Sequence, residues 1–129
     1  GSRTYEYIMD GKYLFADNTS KFEPQEKNPK REVHTDWAFI SYDESRKLLV
    51  LREFHSEGFV IQYMLDSLQS SEKKYVFVSE NIENGPPGMR AKVTIEIEGE
   101  NEFLETFNLA FSGKDYVEFL RNHWTRLKD

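Results

Sequence analysis

The chain has 129 residues and a mass of 15.3 kDa, enough for one domain with its own hydrophobic core. Its net charge of −6 argues against a nucleic-acid backbone or an anionic membrane surface as the main partner. No apolar run approaches the roughly 18 residues of a membrane-spanning helix, and the absence of cysteine excludes disulfides and thiolate metal sites. We therefore expect a soluble, cytoplasmic protein with no nucleic-acid or membrane partner.

The strand pattern is the clearest structural signal. Aromatic residues make up 15% of the chain and favour half-buried strands. Short apolar or alternating runs recur between turn residues, a spacing typical of an all-β barrel or sandwich. The predicted strands cover residues 4–9, 12–19, 32–42, 47–54, 59–65, 74–79, 91–97 and 102–110. We predict one antiparallel barrel domain spanning residues 1–129.

Turn residues between these runs predict how the strands connect. Asp10-Gly11 is a strong signal for a tight hairpin. A polar loop is predicted over residues 20–31, which contain two prolines, and "ENGPPG" at 83–88 forbids regular structure. A three-residue loop at 99–101 places Ile97 opposite Phe103 and Glu105 opposite Ile95, on the apolar side.

The last segment, residues 115–127, fits two structures. Tyr116, Leu120 and Trp124 recur at helical spacing, whereas Val117 and Phe119 fit one face of a strand. We favour a closing strand, because the edges of a sheet of about eight strands need to be paired.

The central hairpin, "LLVLREFHSEGFVIQYML" at 48–65, combines apolar and charged residues. A loop of two or four residues places Arg52, Phe54 and Tyr63 on the apolar, inner face. An inward guanidinium requires a carboxylate or an acidic ligand, and Glu105 is the partner that strand alternation offers. The alternative is an Arg52 at the barrel rim, and a change of one residue in the loop reverses both faces.

These faces define the candidate ligand-binding residues. They are Arg52, Phe54, Tyr63, Glu105 and the aromatic Trp37. For Trp37, core packing is the competing interpretation. No catalytic motif is present, so we predict no catalytic residues. A hydrolase or isomerase that uses His55 with Glu53 or Glu57 is the enzymatic alternative.

The three histidines are His34, His55 and His123. No pair has metal-ligand spacing in the sequence, and none lies beside an evident third ligand, so no metal site is predicted. A single neutral imidazole can still ligate haem iron. His123, beside Trp124 in the terminal segment, is the candidate haem ligand, followed by His55.

Two stretches carry a resemblance to a known group of proteins. "DWAFISYDESRKLLVLREFHSEGFVIQY" (36–63) and "ENIENGPPGMRAKVTIEI" (80–97) resemble a family of small, functionally uncharacterised bacterial barrel proteins. That family is similar to the calycins, which include lipocalins and fatty-acid-binding proteins, and to nitrobindin-like haem-binding barrels. The resemblance implies an antiparallel barrel of about eight to ten strands around a ligand cavity.

The chain departs from these families in two places. The Gly-x-Trp strand that opens calycin chains is missing before Thr4, and Gly1-Ser2 is typical of a cloning remnant. We therefore expect a missing first strand and an open edge able to form a homodimer. The C-terminal histidine that ligates haem in nitrobindin-like proteins corresponds to His123 in approximate position only.

The predicted function is binding of a small apolar or amphipathic acidic ligand. A haem-binding barrel is one alternative. An interaction module that uses an open edge strand is another.

Overall fold

The computed structural model describes residues 1–22 and 32–127 as nine strands, with no helix in these ranges. The strands are β1 (Ser2–Ile8), β2 (Tyr13–Phe22), β3 (Glu32–Asp43), β4 (Leu48–His55), β5 (Val60–Leu65), β6 (Lys74–Glu83), β7 (Arg90–Gly99), β8 (Glu102–Ala110) and β9 (Val117–Thr125). Each pairs antiparallel with the next along the chain, and the sheet curls into a half-barrel. The predicted all-β, up-and-down fold is confirmed. Among the described residues, no helix has the length and apolarity needed to cross a membrane.

The first hairpin turns where the sequence predicts it. Asp10 and Gly11 have φ angles of 58° and 77°, as both central residues of a tight primed turn require. The N–H of Lys12 donates to the carbonyl oxygen of Met9 at 3.2 Å and closes the turn. Local turn chemistry therefore decides this connection.

The predicted polar loop at 20–31 begins later than expected. β2 continues through Phe22 and pairs with β3 along its whole length. The remaining residues of that predicted loop, with both prolines, lie outside the described residues.

The C-terminal segment is a strand, as favoured over a helix. β9 pairs with β8, with a register irregularity between Phe107 and Asn108. Phe119 is the residue left without a partner in this ladder, and both it and Leu120 line the concave side of the sheet. Because the alternation is interrupted there, two consecutive apolar side chains contribute to one face.

The central hairpin is closed by a loop of three residues, 56–58, and the predicted length of two or four is wrong. The N–H of His55 donates to the oxygen of Phe59 at 3.1 Å, and the N–H of Gly58 donates to the oxygen of His55 at 2.8 Å. Gly58 has a φ of 101°, a positive value that glycine adopts without steric cost.

This one residue reverses the predicted face of β4 and leaves that of β5 unchanged. Leu51 pairs with Tyr63, and Arg52 pairs with Gln62. Leu51 and Tyr63 are buried on the concave side, so Arg52 and Phe54 point to the convex side. The predicted inward orientation of Arg52 and Phe54 is wrong, whereas that of Tyr63 is right.

The hydrophobic core lies on the concave side of the central strands. Its buried members are Leu51, Ile61, Tyr63, Phe77, Ala91 and Val93. They come from four consecutive strands, β4 to β7. The core therefore fills one part of the half-barrel and leaves the space in front of β1, β8 and β9 for a cavity.

The convex face carries Arg52, which forms no ion pair with another residue that the structure describes. Its guanidinium donates to Gln62 Oε1 at 3.2 Å and to Ser41 Oγ at 3.4 Å. Glu80 accepts a hydrogen bond from Gln62 at 3.0 Å and pairs with Arg46. Arg52 is thus held by neutral partners at the surface.

The lowered pKa of Glu80 predicts a small loss of stability in acid. The hydrogen bond from Arg46, then that from Gln62, lowers the pKa of Glu80 below its ordinary value of 4.5. Since the folded state holds the carboxylate deprotonated, its contribution is full above that value and is lost as the pH falls through the lowered pKa. We expect Glu80→Gln to remove up to about 1 kcal/mol of stability near pH 7, because the pair is partly exposed, and less near pH 3.

Urea unfolding of both proteins at several pH values measures this difference. Glu83→Gln, at the exposed end of the same strand, is the control. An equal loss for Glu80→Gln at all pH values would contradict the electrostatic origin.

Candidate functional site

The concave face of the half-barrel encloses a cavity of about 670 Å³. Its apolar walls are formed by Phe59, Val93, Phe107, Phe119 and Leu120. Two polar clusters also line it: one joins β1 to β8 and β9, and the other lies at the ends of β3 and β4. A mostly apolar concavity with a few polar groups is typical of a small-molecule site.

The first polar cluster is centred on Arg3 and Glu105. The guanidinium donates to both oxygens of the Glu105 carboxylate at 2.9 Å, a bidentate pair between β1 and β8. Trp124 Nε1 donates to Glu105 at 3.2 Å, and its ring lies 4.3 Å below the Arg3 guanidinium. Side chains thus hold β1 against β8 and β9, although β1 forms a described ladder only with β2.

The charge on Arg3 is well stabilised. Burial opposes the charged form, but the hydrogen bonds and attraction from Glu105 outweigh it and raise the pKa of Arg3 above its ordinary value. Glu105, expected from the sequence to pair with Arg52, therefore pairs with Arg3, which no sequence pattern marked as a candidate.

The second polar cluster brings two histidines together. His34 and Asp36 are two residues apart on β3, so both face the cavity, and Asp36 pairs with His55 on β4. His34 Nε2 lies 3.0 Å from Asp36 Oδ2 and 3.5 Å from His55 Nδ1. One side-chain atom of each residue therefore points toward a common centre.

Carboxylates hold the outer nitrogens of both rings. His34 Nδ1 lies 2.6 Å from Glu57 Oε2, and His55 Nε2 lies 3.4 Å from Glu53 Oε1. The hydroxyl of the fully buried Tyr63 donates to Glu53 at 2.7 Å. The orientation of each imidazole is thus set by a partner that is itself held in place.

The pKa values of this cluster reflect burial and pairing. For His34, burial lowers the pKa, but Glu57 and Asp36 outweigh it and the net shift is upward. For Glu57, burial raises the pKa, but His34 outweighs it and the net shift is downward. Burial first, then the nearby Glu53, raises the pKa of Tyr63 well above its ordinary value, so this phenol stays protonated.

The cavity lining carries an excess of negative charge. Four carboxylates, those of Asp36, Glu53, Glu57 and Glu105, face one guanidinium, that of Arg3. With neutral histidines the described lining has a formal charge of about −3 (1 − 4). Its electrostatic field therefore favours a neutral or cationic group over an anionic one.

The sequence-predicted ligand-binding residues divide between the two faces. Glu105 lines the cavity, and Tyr63 is buried behind it against Glu53. Arg52 lies on the convex face. Trp37 and Phe54 border a separate depression of about 190 Å³, within a row of aromatic rings whose centroids are 5.0–5.8 Å apart.

His123, the predicted haem ligand, faces away from the cavity. It is half-exposed, with Nε2 lying 3.1 Å from Glu102 and 3.3 Å from Glu98. His123 thus lies outside the cavity, because strand alternation directs Asn122 and Trp124 inward instead. A haem-binding function itself stays a prediction.

The sequence pattern did not predict that His34 and His55 lie close together. The expectation that no histidine lies beside a third possible ligand is wrong, since both lie near Asp36. The available signal was His34-x-Asp36, a spacing that places two side chains on one face of a strand. The enzymatic alternative paired His55 with Glu53 or Glu57. Of these two carboxylates, Glu53 lies close to His55, whereas Glu57 contacts His34.

Comparison with known proteins adds no assignment. No protein-family model matches the chain, and no curated protein matches it significantly. The resemblance to calycins therefore stays a prediction.

Proposed function

We propose that this protein binds a small, largely apolar ligand in its concave cavity. The observation that supports the proposal is the cavity of about 670 Å³, walled by aromatic and aliphatic side chains with polar clusters at two places. Its volume lies within the roughly 300–1,000 Å³ of ordinary ligand sites.

The charges of the cavity favour a particular kind of polar head group. The sequence favoured an acidic ligand because Arg52 was predicted to face inward. In the cavity, Arg3 is the described guanidinium, and both of its terminal nitrogens already bond Glu105. An acidic group would have to compete with that carboxylate, so we propose an apolar ligand with a neutral or basic head group.

A fluorescent probe tests this function. We expect the neutral dye N-phenyl-1-naphthylamine to bind with one-to-one stoichiometry and more tightly than the anionic anilinonaphthalene sulfonate. Asn122→Trp adds a large side chain to the cavity lining and should weaken binding of the neutral dye by about tenfold or more, since it occupies the ligand's space.

The neighbouring position supplies the matched control. His123→Trp introduces the same side chain on the convex face of the same strand and should leave dye affinity unchanged. Equal weakening by both substitutions, or no dye binding by the parent protein, would contradict the proposed site. If the dye results support the site, mass spectrometry of compounds that co-purify with the protein would identify the natural ligand.

A further inference from the structure

We propose that His34, Asp36 and His55 form a binding site for a divalent transition-metal ion at one side of the cavity. The site is defined by the geometry of these three residues, and it does not depend on the apolar ligand proposed above. All three line the cavity and are partly buried.

The distances between the ligand atoms suit a single ion. Atoms bound at about 2.1 Å in tetrahedral or octahedral geometry are roughly 3.0–3.5 Å from one another. His34 Nε2 lies 3.0 Å from Asp36 Oδ2 and 3.5 Å from His55 Nδ1, and all three atoms lie within 4.8 Å of one another. Only a small movement of His55 or Asp36 would complete the site.

The partners of the two rings orient them as metal-bound histidines are oriented. Glu57 Oε2 faces His34 Nδ1, and Glu53 Oε1 faces His55 Nε2. If each carboxylate accepts an N–H, the lone pairs of the two remaining nitrogens point toward Asp36. Metal-bound histidines commonly donate their other N–H to a carboxylate in this way.

Three acceptor atoms that point toward one centre repel one another unless a cation lies between them. Asn18 Nδ2 donates to Asp36 Oδ2 at 2.9 Å and holds the carboxylate in place. A proton shared with His34 is one such cation, and a metal ion is the other. Glu53 and Glu57 add negative charge beside the site, which favours a dication over a proton.

The ligand set indicates the class of metal. Two imidazoles and one carboxylate suit Zn²⁺ or Fe²⁺, whereas Mg²⁺ and Ca²⁺ prefer sites built from oxygen ligands. Three protein ligands leave coordination positions open. Because His34, Asp36 and His55 all line the cavity, those positions would be accessible to water or to a donor atom of a bound ligand.

Calorimetric titration of the full chain with Zn²⁺ tests the site near neutral pH. We expect one ion per chain in the parent protein. His34→Ala and His55→Ala should each weaken binding by more than about 100-fold, and Glu57→Gln by about 10–100-fold, as is typical when an outer partner is removed.

His123→Ala is the matched control. His123 also lies near two carboxylates, Glu98 and Glu102, but on the convex face. Its substitution should leave the affinity for Zn²⁺ unchanged. Circular dichroism verifies the fold of each variant, and Asp36→Asn, which keeps side-chain size, replaces any alanine variant that fails to fold.

Three results would overturn the proposal. They are no saturable Zn²⁺ binding by the parent protein, unchanged affinity in the folded His34, His55 or Asp36 variants, or an equal loss in His123→Ala. The first would identify the cluster as a proton-sharing group. Dye binding and Zn²⁺ binding are separate measurements, so failure of one leaves the other proposal standing.

Discussion

Replacing Arg3 with methionine is expected to destabilise the fold by about 3 kcal/mol, the lower end of the range for breaking a buried ion pair. Arg3 and Glu105 have side-chain exposures of 13% and 14%, so the substitution leaves a carboxylate without its cation in a poorly solvated place. It also removes the guanidinium that holds β1 against Trp124. Urea unfolding measures the change.

A double substitution separates the pair from the rest of the site. Because the penalty comes from the stranded carboxylate, Arg3→Met with Glu105→Gln should recover part of the loss. Arg121→Met is the control, since its pair with Glu118 has exposures of 60% and 47% and should matter by no more than about 0.5 kcal/mol. A loss for Arg3→Met as small as that of the control would contradict this role.

Replacing Tyr63 with alanine is expected to cost about 3–5 kcal/mol, as for other large aromatic side chains in cores. Tyr63 has 0% exposure, packs in the buried cluster with Phe77, and donates a hydrogen bond to Glu53. Its removal leaves a void in the core and takes away the group that positions Glu53.

Tyr63→Phe separates packing from hydrogen bonding. It keeps the ring and should cost about 1.5–3 kcal/mol, the usual worth of a hydrogen bond to a charged group. Tyr7→Ala, at 73% exposure, is the control and should change stability by no more than about 0.5 kcal/mol. If Tyr63→Ala behaved like Tyr7→Ala, the assignment of Tyr63 to the core would be incorrect.

Two hairpins show how far the register could be predicted. At β7–β8, the predicted pairs of Ile97 with Phe103 and Ile95 with Glu105 are confirmed. The predicted three-residue loop at 99–101 is nevertheless wrong, since Gly99 pairs with Glu102 and only residues 100–101 connect the strands. A register irregularity between Ile97 and Gly99 compensates for the shorter loop and leaves the predicted pairs in place. At β4–β5, "HSEG" was compatible with several loop lengths, and the wrong choice moved Arg52 to the wrong face.

The candidate site was predictable only in part. Glu105 was correctly placed inward, because its pairing with Ile95 was predicted correctly. Its partner, Arg3, lies 102 residues away along the chain, and no local pattern relates the two. The proximity of His34 and His55 could not be predicted either, since it depends on the register between β3 and β4.

The sequence by itself determined the first eight strands, the positions of most of their turns and the antiparallel order, because alternation and turn chemistry act over a few residues. Only the tertiary structure decided which side chains share the cavity. The curl of the sheet brings β1 to β8 and β9, and the three-residue central loop turns His55 and Glu53 inward and Arg52 outward. These contacts depend on the geometry of the whole sheet. A difference of one residue in a loop is enough to move the side chains of a strand to the opposite face.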